Sequence, residues 1–252
     1  MNSIFKTQIQ TALGSIQHEF ELATHPITLA EFASELFSFE DKLVQIAAKA
    51  AIADGVNSIS CKPQCGACCS QAVPISIPEA FLIYDLVQSL TSEKKAQVLR
   101  RFDAISQRLK AENIEADQRA DESSDDRWSR LLERYFYLGM PCPFLENQSC
   151  SIYENRPSIC REFLVTTPAK ACSQPDIEEV RGIDNVFIMS HCLARLSAIL
   201  MENEPNLLPL SLCLNWVEEN KAWHEKRFDP ALLYSTLFDI IRDATSEAES
   251  GS

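Results

Sequence analysis

The sequence predicts a mainly α fold: a helical single domain with a small cysteine-rich segment that contains short extended runs. Apolar residues recur at spacings of three and four along most of the chain, the period of a helix with one buried face. Two capping boxes, Thr28 to Glu31 and Ser76 to Glu79, mark helix starts. Around residues 141–153, two short extended runs about a turn interrupt this period. Together these observations favour helices arranged around one irregular segment.

Each helix is predicted from its apolar positions. A first helix is expected from the spacing of Ile9, Leu13, Ile16 and Phe20. A long helix is expected after the first capping box, and it should end near Gly55. The remaining helices are expected at 78–90, 99–109, 128–135, 188–199, 209–221 and from 229 onwards. In the helix at 188–199, the predicted buried face comprises Ile188, Cys192, Leu196 and Ile199.

The domain organisation follows from these elements. Residues 112–126 are rich in Glu and Asp and are expected to form a solvated linker or loop. Two groups of cysteines lie on either side of it, so any site that they share must be closed by the tertiary fold. We therefore expect one domain over 1–245 with its cysteine core at 61–172, and a disordered tail at 246–252.

Composition limits the classes of function. The chain has 252 residues, of which 46% are hydrophobic, so it can bury a core without a disulfide scaffold. The formal net charge of −13 argues against a nucleic-acid partner, and a membrane partner is not expected either. We expect a cytoplasmic protein with an unknown protein partner or substrate. In a reducing compartment, clustered cysteines are expected to bind metal or to act in redox chemistry.

Eight of the ten cysteines fall into two groups. The first comprises Cys61, Cys65, Cys68 and Cys69, and the second comprises Cys142, Cys150, Cys160 and, more loosely, Cys172. Thiols at such short spacings can converge on a metal ion or an iron–sulfur cluster, each of which commonly takes four cysteines. Eight thiols suffice for two four-ligand sites, or for one site with redox-active spares.

Two arginines stand beside Cys160 in the sequence. Four thiolates on one zinc ion leave an excess of negative charge, which Arg156 and Arg161 could offset as cofactor-binding residues through hydrogen bonds to sulfur. The alternative is that both arginines make ordinary salt bridges. Cys192 and Cys213 lie on apolar helical faces and are predicted to pack as small core residues. The capping box is sufficient to explain Glu79.

The spacing of the first group, Cys-x3-Cys-x2-Cys, also occurs in radical-SAM enzymes. The context here is different, because the motif follows a predicted helix and Ala67 stands where an aromatic residue is usual. Repeated strand–helix units are not predicted after the motif. This alternative is therefore disfavoured.

A longer pattern connects the two groups. Cys61-x3-Cys65-x2-Cys68-Cys69 is followed by Pro141-Cys142-Pro143-Phe144-Leu145, then Cys150-Ser151-Ile152-Tyr153 and Arg156-Pro157-x2-Cys160-Arg161. These motifs resemble the YkgJ-like cysteine-cluster family, also described as the CxxCxxCC zinc- or iron-chelating domain. The resemblance covers about residues 61–172 and implies metal binding. One departure concerns the last ligand: family members usually carry a cysteine soon after the Cys-Arg-x-Phe segment, whereas here the nearest candidate is Cys172.

Three functional hypotheses remain open at this point. The leading one is a metal-binding protein, with an iron–sulfur cluster preferred over zinc because adjacent thiols and the flanking Pro141 and Pro143 suit a shielded pocket. The second is an enzyme that uses the metal centre for redox or protein-modification chemistry, since one branch of the family resembles a domain of flagellin lysine methylases. The third is a structural, zinc-stapled interaction module.

Overall fold

A computed structural model describes residues 3–114, 124–174 and 179–250, without the side chains of 124–129 and 247–250. Its α-helices are α1 (Leu29–Glu35), α2 (Phe37–Ala53), α3 (Ile77–Ser89), α4 (Ser92–Ala111), α5 (Ser124–Tyr137), α6 (Ser158–Glu162), α7 (Ala169–Cys172), α8 (Met189–Met201), α9 (Cys213–Glu219), α10 (Lys221–His224) and α11 (Pro230–Ser250). Its short strands are β1 (Ile4–Thr11), β2 (Gly14–Glu21), β3 (Ile27–Thr28), β4 (Pro74–Ser76), β5 (Leu145–Glu146), β6 (Ser149–Cys150), β7 (Leu207–Pro209) and β8 (Arg227–Phe228). The predicted mainly α class is confirmed.

The N-terminus is a β-hairpin, so the first predicted helix is wrong. Strands β1 and β2 pair antiparallel, with Ile9 opposite Ile16. Gly14 starts the second strand with φ +107°, a backbone conformation that favours glycine. Along β1, exposed polar residues alternate with the buried residues Thr7 and Ile9, and this alternation is the period of a strand with one buried face. Residues 9 and 16 share a face because they are cross-strand partners, and their separation of seven also fits two helical turns.

The helical core forms behind this hairpin. Helices α1 and α3 pack together, α3 packs on α8 and α9, and α11 packs on α8 and on β1. Aromatic rings pack between β2 and α11: Phe20 lies 4.6 Å from Tyr234 and 5.6 Å from Phe238, measured between ring centroids. The N-terminal hairpin and the C-terminal helix thus enclose one side of the core.

Both predicted capping boxes are present. At α1, Thr28 Oγ1 accepts from the Glu31 backbone N–H at 3.2 Å, and the Glu31 carboxylate accepts from the Thr28 N–H at 2.7 Å. At α3, Ser76 and Glu79 make the same reciprocal pair. Two pairs of short strands, β3–β8 and β4–β7, connect these helix starts to the C-terminal part of the chain. Strand β4 is the segment that leads out of the first cysteine group.

Other predictions met mixed outcomes. The single long helix predicted after the first capping box is divided at Leu36 into α1 and α2, and α2 ends near Gly55 as expected. The region at 209–221 is divided into a strand end, a 3₁₀ turn and α9. On α8, Cys192 and Leu196 are buried as predicted, whereas Ile199 is 57% exposed. Most of the linker predicted at 112–126 lies outside the described residues.

In the part of the chain that the structure describes, no helix combines the length and the apolar character needed to cross a membrane.

Candidate metal centre

The first cysteine group lies in a compact loop between α2 and β4. Successive tight turns curl this loop: the Cys65 N–H bonds to the Lys62 carbonyl at 3.2 Å and the Cys69 N–H to the Gly66 carbonyl at 3.0 Å. Gln64 takes the left-handed conformation, with φ +69°, inside the first turn. The turns therefore keep this loop compact, and its four cysteines are all half-buried.

The second group is presented by a small hairpin and a short helix. Cys142 precedes β5, Cys150 ends β6, and Cys160 lies in α6. The two-residue loop of this hairpin has positive φ at Asn147 and Gln148, which is the type I′ geometry that suits short hairpins. The two extended runs predicted from the sequence are thus present.

The two groups meet directly. The Cys142 N–H donates to the Cys69 carbonyl at 2.6 Å. Gly66 lies so close to the hairpin that an added Cβ would stand 2.6 Å from Leu145 Cδ1 and 2.7 Å from the Gln148 carbonyl oxygen. Only a residue without a side chain allows this approach. The tertiary fold therefore closes the gap between the cysteine groups.

A third segment, residues 163–172, contacts both ends of the loop. The Ser60 N–H donates to the Val165 carbonyl at 2.8 Å, and the Val165 N–H donates to Cys61 Sγ at 3.3 Å. Near the end of the segment, Gln71 Nε2 donates to the Cys172 carbonyl at 3.0 Å. Cys172, which is 4% exposed, is thereby brought to the same site.

The pKa values show that the thiols are electrostatic neighbours. Burial raises the pKa of Cys142 to about 12, and the charges of Cys150 and Cys68 add to the shift. Burial raises the pKa of Cys172 to about 11, with further contributions from Cys68, Cys61 and Cys65. Burial and the charges of the neighbouring cysteines therefore both oppose the deprotonation of each thiol.

Cys68 and Cys69 are joined by a side-chain hydrogen bond. A hydrogen bond from the Cys69 thiol to Cys68 lowers the pKa of Cys68 and raises the pKa of Cys69. Burial and the charges of Cys142, Cys68 and Cys150 raise the pKa of Cys160 well above its usual value. A bound cation would reverse these shifts, because it stabilises thiolates and releases their protons.

Backbone amides support sulfur anions at three positions. The N–H groups of Phe144, Ile152 and Val165 donate to the sulfur atoms of Cys142, Cys150 and Cys61, respectively. In the first two cases the donor lies two residues after the cysteine. Such outer hydrogen bonds orient metal-ligating side chains and tune their basicity.

The two arginines beside Cys160, Arg156 and Arg161, lie in different surroundings. Arg156 lies beside the thiols. Burial raises the pKa values of Cys61 and Cys150, and the charge of Arg156 opposes that rise. The hydrogen bond from Cys69 lowers the pKa of Cys68, and the charge of Arg156 adds to that lowering. Its guanidinium lies over the Tyr153 ring at 3.8 Å, and its buried Nε has no hydrogen-bond partner among the described residues. Arg156 therefore lies beside the thiols with one donor that has no partner among the described residues, and its cofactor-binding role stays a prediction.

Arg161 is directed elsewhere, so its predicted cofactor-binding role gives way to the salt-bridge alternative. Its guanidinium, 3% exposed, pairs with Asp41 at 2.8 Å and with Glu40 at 3.5 Å. It also donates from Nε to the Arg156 carbonyl at 3.0 Å and covers the Phe37 ring at 4.0 Å. These contacts clamp α6 to α2, because a buried guanidinium requires charged and carbonyl acceptors.

Sequence reasoning missed a set of buried carboxyl groups around α6. Glu79 Oε1 accepts from the Ser158 N–H at 2.7 Å, and Glu40 Oε1 accepts from Ser158 Oγ at 2.8 Å. Glu162 Oε1 accepts from the Met189 N–H at 2.9 Å, at the start of α8. Glu79 thus serves its own capping box and also caps the helix that carries Cys160. The capping box marks Glu79 in the sequence, but nothing local distinguishes Glu40 and Glu162 from surface residues.

The donor set fits a thiophilic metal, although it is not arranged as one closed site. Among the described residues, no group of three or more His, Cys, Asp or Glu side chains forms a ready metal site. Binding therefore requires neighbouring thiols to turn towards a common point. Soft thiolate ligands select zinc and iron–sulfur centres, and the amide donors and Arg156 supply outer hydrogen bonds for them.

Comparison with known proteins agrees with this chemistry. The family model CxxCxxCC, described as "Putative zinc- or iron-chelating domain", matches residues 60–181. The matched range contains all eight clustered cysteines, and the resemblance predicted from the sequence is confirmed. Residues 60–181 are therefore similar to the CxxCxxCC domain, and this similarity supports metal binding by this chain. Searches of curated proteins and of solved structures gave no match.

Proposed function

We propose that this protein binds metal through its clustered thiolates, as an iron–sulfur cluster or, second, as zinc. The observation that carries the proposal is the convergence of three separate segments on one group of thiols. The Cys142 N–H donates to the Cys69 carbonyl, the Val165 N–H donates to Cys61 Sγ, and Gln71 Nε2 donates to the Cys172 carbonyl. A hydrophobic core does not need cysteines from three segments in mutual electrostatic contact.

The surroundings of the thiols support the iron–sulfur preference. Phe144 and Ile152 are buried beside the sulfur atoms of the second group, and Phe144 packs edge-on against Phe102 at 5.6 Å between centroids. Pro143, which separates Cys142 from Phe144, is buried as well. Burial of apolar residues next to the thiols limits solvent access, which is one of the factors that set cluster potentials.

Elemental analysis and an absorption spectrum test the proposal on the full chain purified without oxygen. We expect stoichiometric iron with visible absorption, and loss of the metal in Cys68→Ser and Cys150→Ser. Cys192→Ala is the matched control, since Cys192 is buried on α8 outside the family motif and should not affect metal content. A wild-type protein that is folded and contains neither iron nor zinc would contradict metal binding.

The same measurement separates the zinc alternative. The backbone contacts from Cys69 to Cys142 and from Ser60 to Val165 would also suit a structural zinc that staples these segments. In that case the protein is colourless and contains zinc. A chelator should then unfold the site, because binding energy in such structural sites contributes directly to folding.

A further inference from the structure

We propose that Glu79 is a positioning residue of the metal centre, because its carboxylate fixes the helix that carries Cys160 against the strand that leaves the first cysteine group. Glu79 Oε2 accepts from Ser76 at the end of β4, and Glu79 Oε1 accepts from Ser158 at the start of α6. This role rests on the proposed function. It concerns the position of one ligand, whichever metal is bound.

Helix α6 begins without a cap of its own. It has five residues, and its N-cap, Pro157, makes no side-chain hydrogen bond. The first N–H groups of a helix have no acceptor inside it, and so short a helix is not stable alone. The Ser158 N–H donates to Glu79 Oε1 at 2.7 Å instead. The turn that carries Cys160 therefore depends on an acceptor from α3.

The other carboxylate oxygen of Glu79 is held at the exit of the first cysteine group. Glu79 Oε2 accepts from the Ser76 N–H at 2.8 Å and from Ser76 Oγ at 2.6 Å. Ser76 is itself fixed, because β4 pairs with β7 and places Ser76 opposite Leu207. Since the two oxygens bond different segments, the carboxylate determines how far α6 lies from β4.

The contacts of Glu79 are closed to solvent. Glu79 is 2% exposed, Ser76 0% and Ser158 1%. Ser158 is also held by its hydroxyl, which donates to Glu40 Oε1 at 2.8 Å. A buried N–H that loses its acceptor bears the full cost of desolvation. Loss of an acceptor at Glu79 should therefore move the start of α6, and Cys160 with it.

Glu31 makes the same capping box at a helix that carries no cysteine. Its carboxylate accepts from the Thr28 N–H at 2.7 Å and from Arg227 Nη1 at 3.2 Å. Substitution of Glu31 should damage a capping box and leave α6 in place. Glu31→Gln is therefore the matched control for Glu79→Gln.

Glu79→Gln tests the role because it keeps the size of the side chain and removes one acceptor. Whichever way the amide turns, its NH₂ group faces a backbone N–H, at Ser158 or at Ser76. We expect the cobalt(II) affinity of the reduced, metal-free full chain to fall roughly 10–100-fold, as for other outer contacts of metal ligands. Glu31→Gln should stay within about twofold of the wild type, the scatter of independent sites.

Cobalt(II) is the probe because its absorption reports coordination by thiolates. Circular dichroism of the metal-free variants shows whether they keep the wild-type fold. If the wild type contains iron and takes up no cobalt(II), the iron retained after purification gives the same comparison among the three proteins.

A double-mutant cycle with Cys160 separates positioning from a general loss of stability. If Glu79 acts through Cys160, Glu79→Gln should change the cobalt(II) affinity of Cys160→Ser by no more than about twofold. A general destabilisation would lower the affinity by the same factor whether or not the Cys160 thiol is present.

Ser158→Pro tests the same hydrogen bond from its other side. It replaces the cycle if Glu79→Gln does not fold or if Cys160→Ser binds no cobalt(II). Pro157 is extended, with φ −55° and ψ 156°, which suits a following proline at the first position of a helix. Ser158→Pro removes the N–H and should lower the affinity roughly 10–100-fold. Ser158→Ala, which loses only the hydroxyl, is its control and should lower the affinity less.

The outcomes distinguish this role from the function on which it rests. Equal cobalt(II) affinities of the wild type and Glu79→Gln overturn the role and leave metal binding intact. An equal loss in Glu31→Gln overturns it too, because damage to any capping box would then be sufficient. The role also fails if the loss does not depend on the Cys160 thiol, or if Ser158→Pro and Ser158→Ala behave alike. A wild type that binds no cobalt(II) and is purified without iron or zinc overturns the proposed function itself.

Discussion

Gly66 is the residue at which the two cysteine groups touch. Its backbone lies against a side-chain atom of Leu145 and against the backbone of Gln148. The Leu145 side chain could move aside, but the carbonyl group belongs to a tight two-residue turn and cannot move cheaply. One missing Cβ thus permits the approach of two segments that are distant in the sequence.

Substitution of Gly66 by Ala should separate the loop from the hairpin. The new Cβ would lie 2.7 Å from the Gln148 oxygen and 3.0 Å from its carbonyl carbon. We expect a loss of about 1–3 kcal/mol in the free energy of unfolding, typical of overpacking, together with reduced metal content. Urea denaturation and elemental analysis measure the two effects.

Gly182→Ala is the matched control for this substitution. A Cβ on Gly182 would meet the Leu164 carbonyl oxygen at 3.5 Å, which is ordinary contact. Its unfolding free energy should stay within about 0.5 kcal/mol of the wild type, as for most surface changes. Equal effects of the two substitutions would contradict the close approach at Gly66.

At the scale of elements, α6 is held by side chains from its neighbours rather than by its own sequence. Its N-cap, Pro157, offers no side-chain hydrogen bond, and Glu79 from α3 accepts the Ser158 N–H instead. Glu40 from α2 accepts the Ser158 hydroxyl, and Arg161 returns to α2. The position of Cys160 therefore depends on α2 and α3.

This arrangement should make stability depend on pH through Glu40. Burial, and then the charge of Glu79, raises the pKa of Glu40 to about 8, although Ser158 and Arg161 oppose the shift. Because the folded state favours the protonated carboxyl, its stabilising contribution is complete below the ordinary carboxyl pKa of about 4.3 and is lost as the pH rises through about 8. Wild-type unfolding free energy should fall between about pH 5.5 and 8.5.

The variant Glu40→Gln isolates this contribution. It keeps an acceptor for Ser158 but cannot ionise, so its unfolding free energy should fall less over the same pH range, by about 1 kcal/mol or more. Glu162, whose pKa burial raises to about 9, still titrates in the variant and leaves part of the slope. Glu19→Gln, at an exposed ion pair with Lys6, should keep the wild-type slope. Parallel slopes for all three proteins would refute the role of Glu40.

At the scale of the whole molecule, the N-terminal hairpin packs against the C-terminal helix α11. Strand β1 packs against α11, and Phe20 of β2 is at the centre of an aromatic group formed with α2 and α11. Its ring contacts Phe39, Tyr234 and Phe238 at 4.6–5.7 Å between centroids. The hairpin therefore shields a face of the helical core instead of adding a helix to it.

Removal of the Phe20 ring should be costly. Phe20 is 6% exposed, so Phe20→Ala leaves a cavity among aromatic side chains and should lower the unfolding free energy by about 3–5 kcal/mol. Leu13→Ala, at the hairpin turn and 38% exposed, should cost less than about 1 kcal/mol. Both values come from equilibrium urea denaturation. A small effect of Phe20→Ala would mean that the hairpin does not close the core.

The predictions that succeeded depend on neighbours along the chain. The capping boxes at Thr28 and Ser76, the helix end near Gly55 and the hairpin between Pro143 and Tyr153 all follow from short-range chemistry. The helix predicted at 9–20 failed because a cross-strand pair imitated a helical repeat. The buried faces were less predictable, as the exposed Ile199 shows.

By itself, the sequence determined the helical class, the cysteine groups and the resemblance of residues 60–181 to the CxxCxxCC domain, since spacing and capping are local properties. Only the tertiary structure decided that Cys142 meets Cys69, that Arg156 faces the thiols and that Arg161 faces α2. It also decided that Glu40, Glu79 and Glu162 are buried. The physical reason is that side-chain orientation and burial depend on segments distant in sequence, and their free energies arise only once those segments pack together.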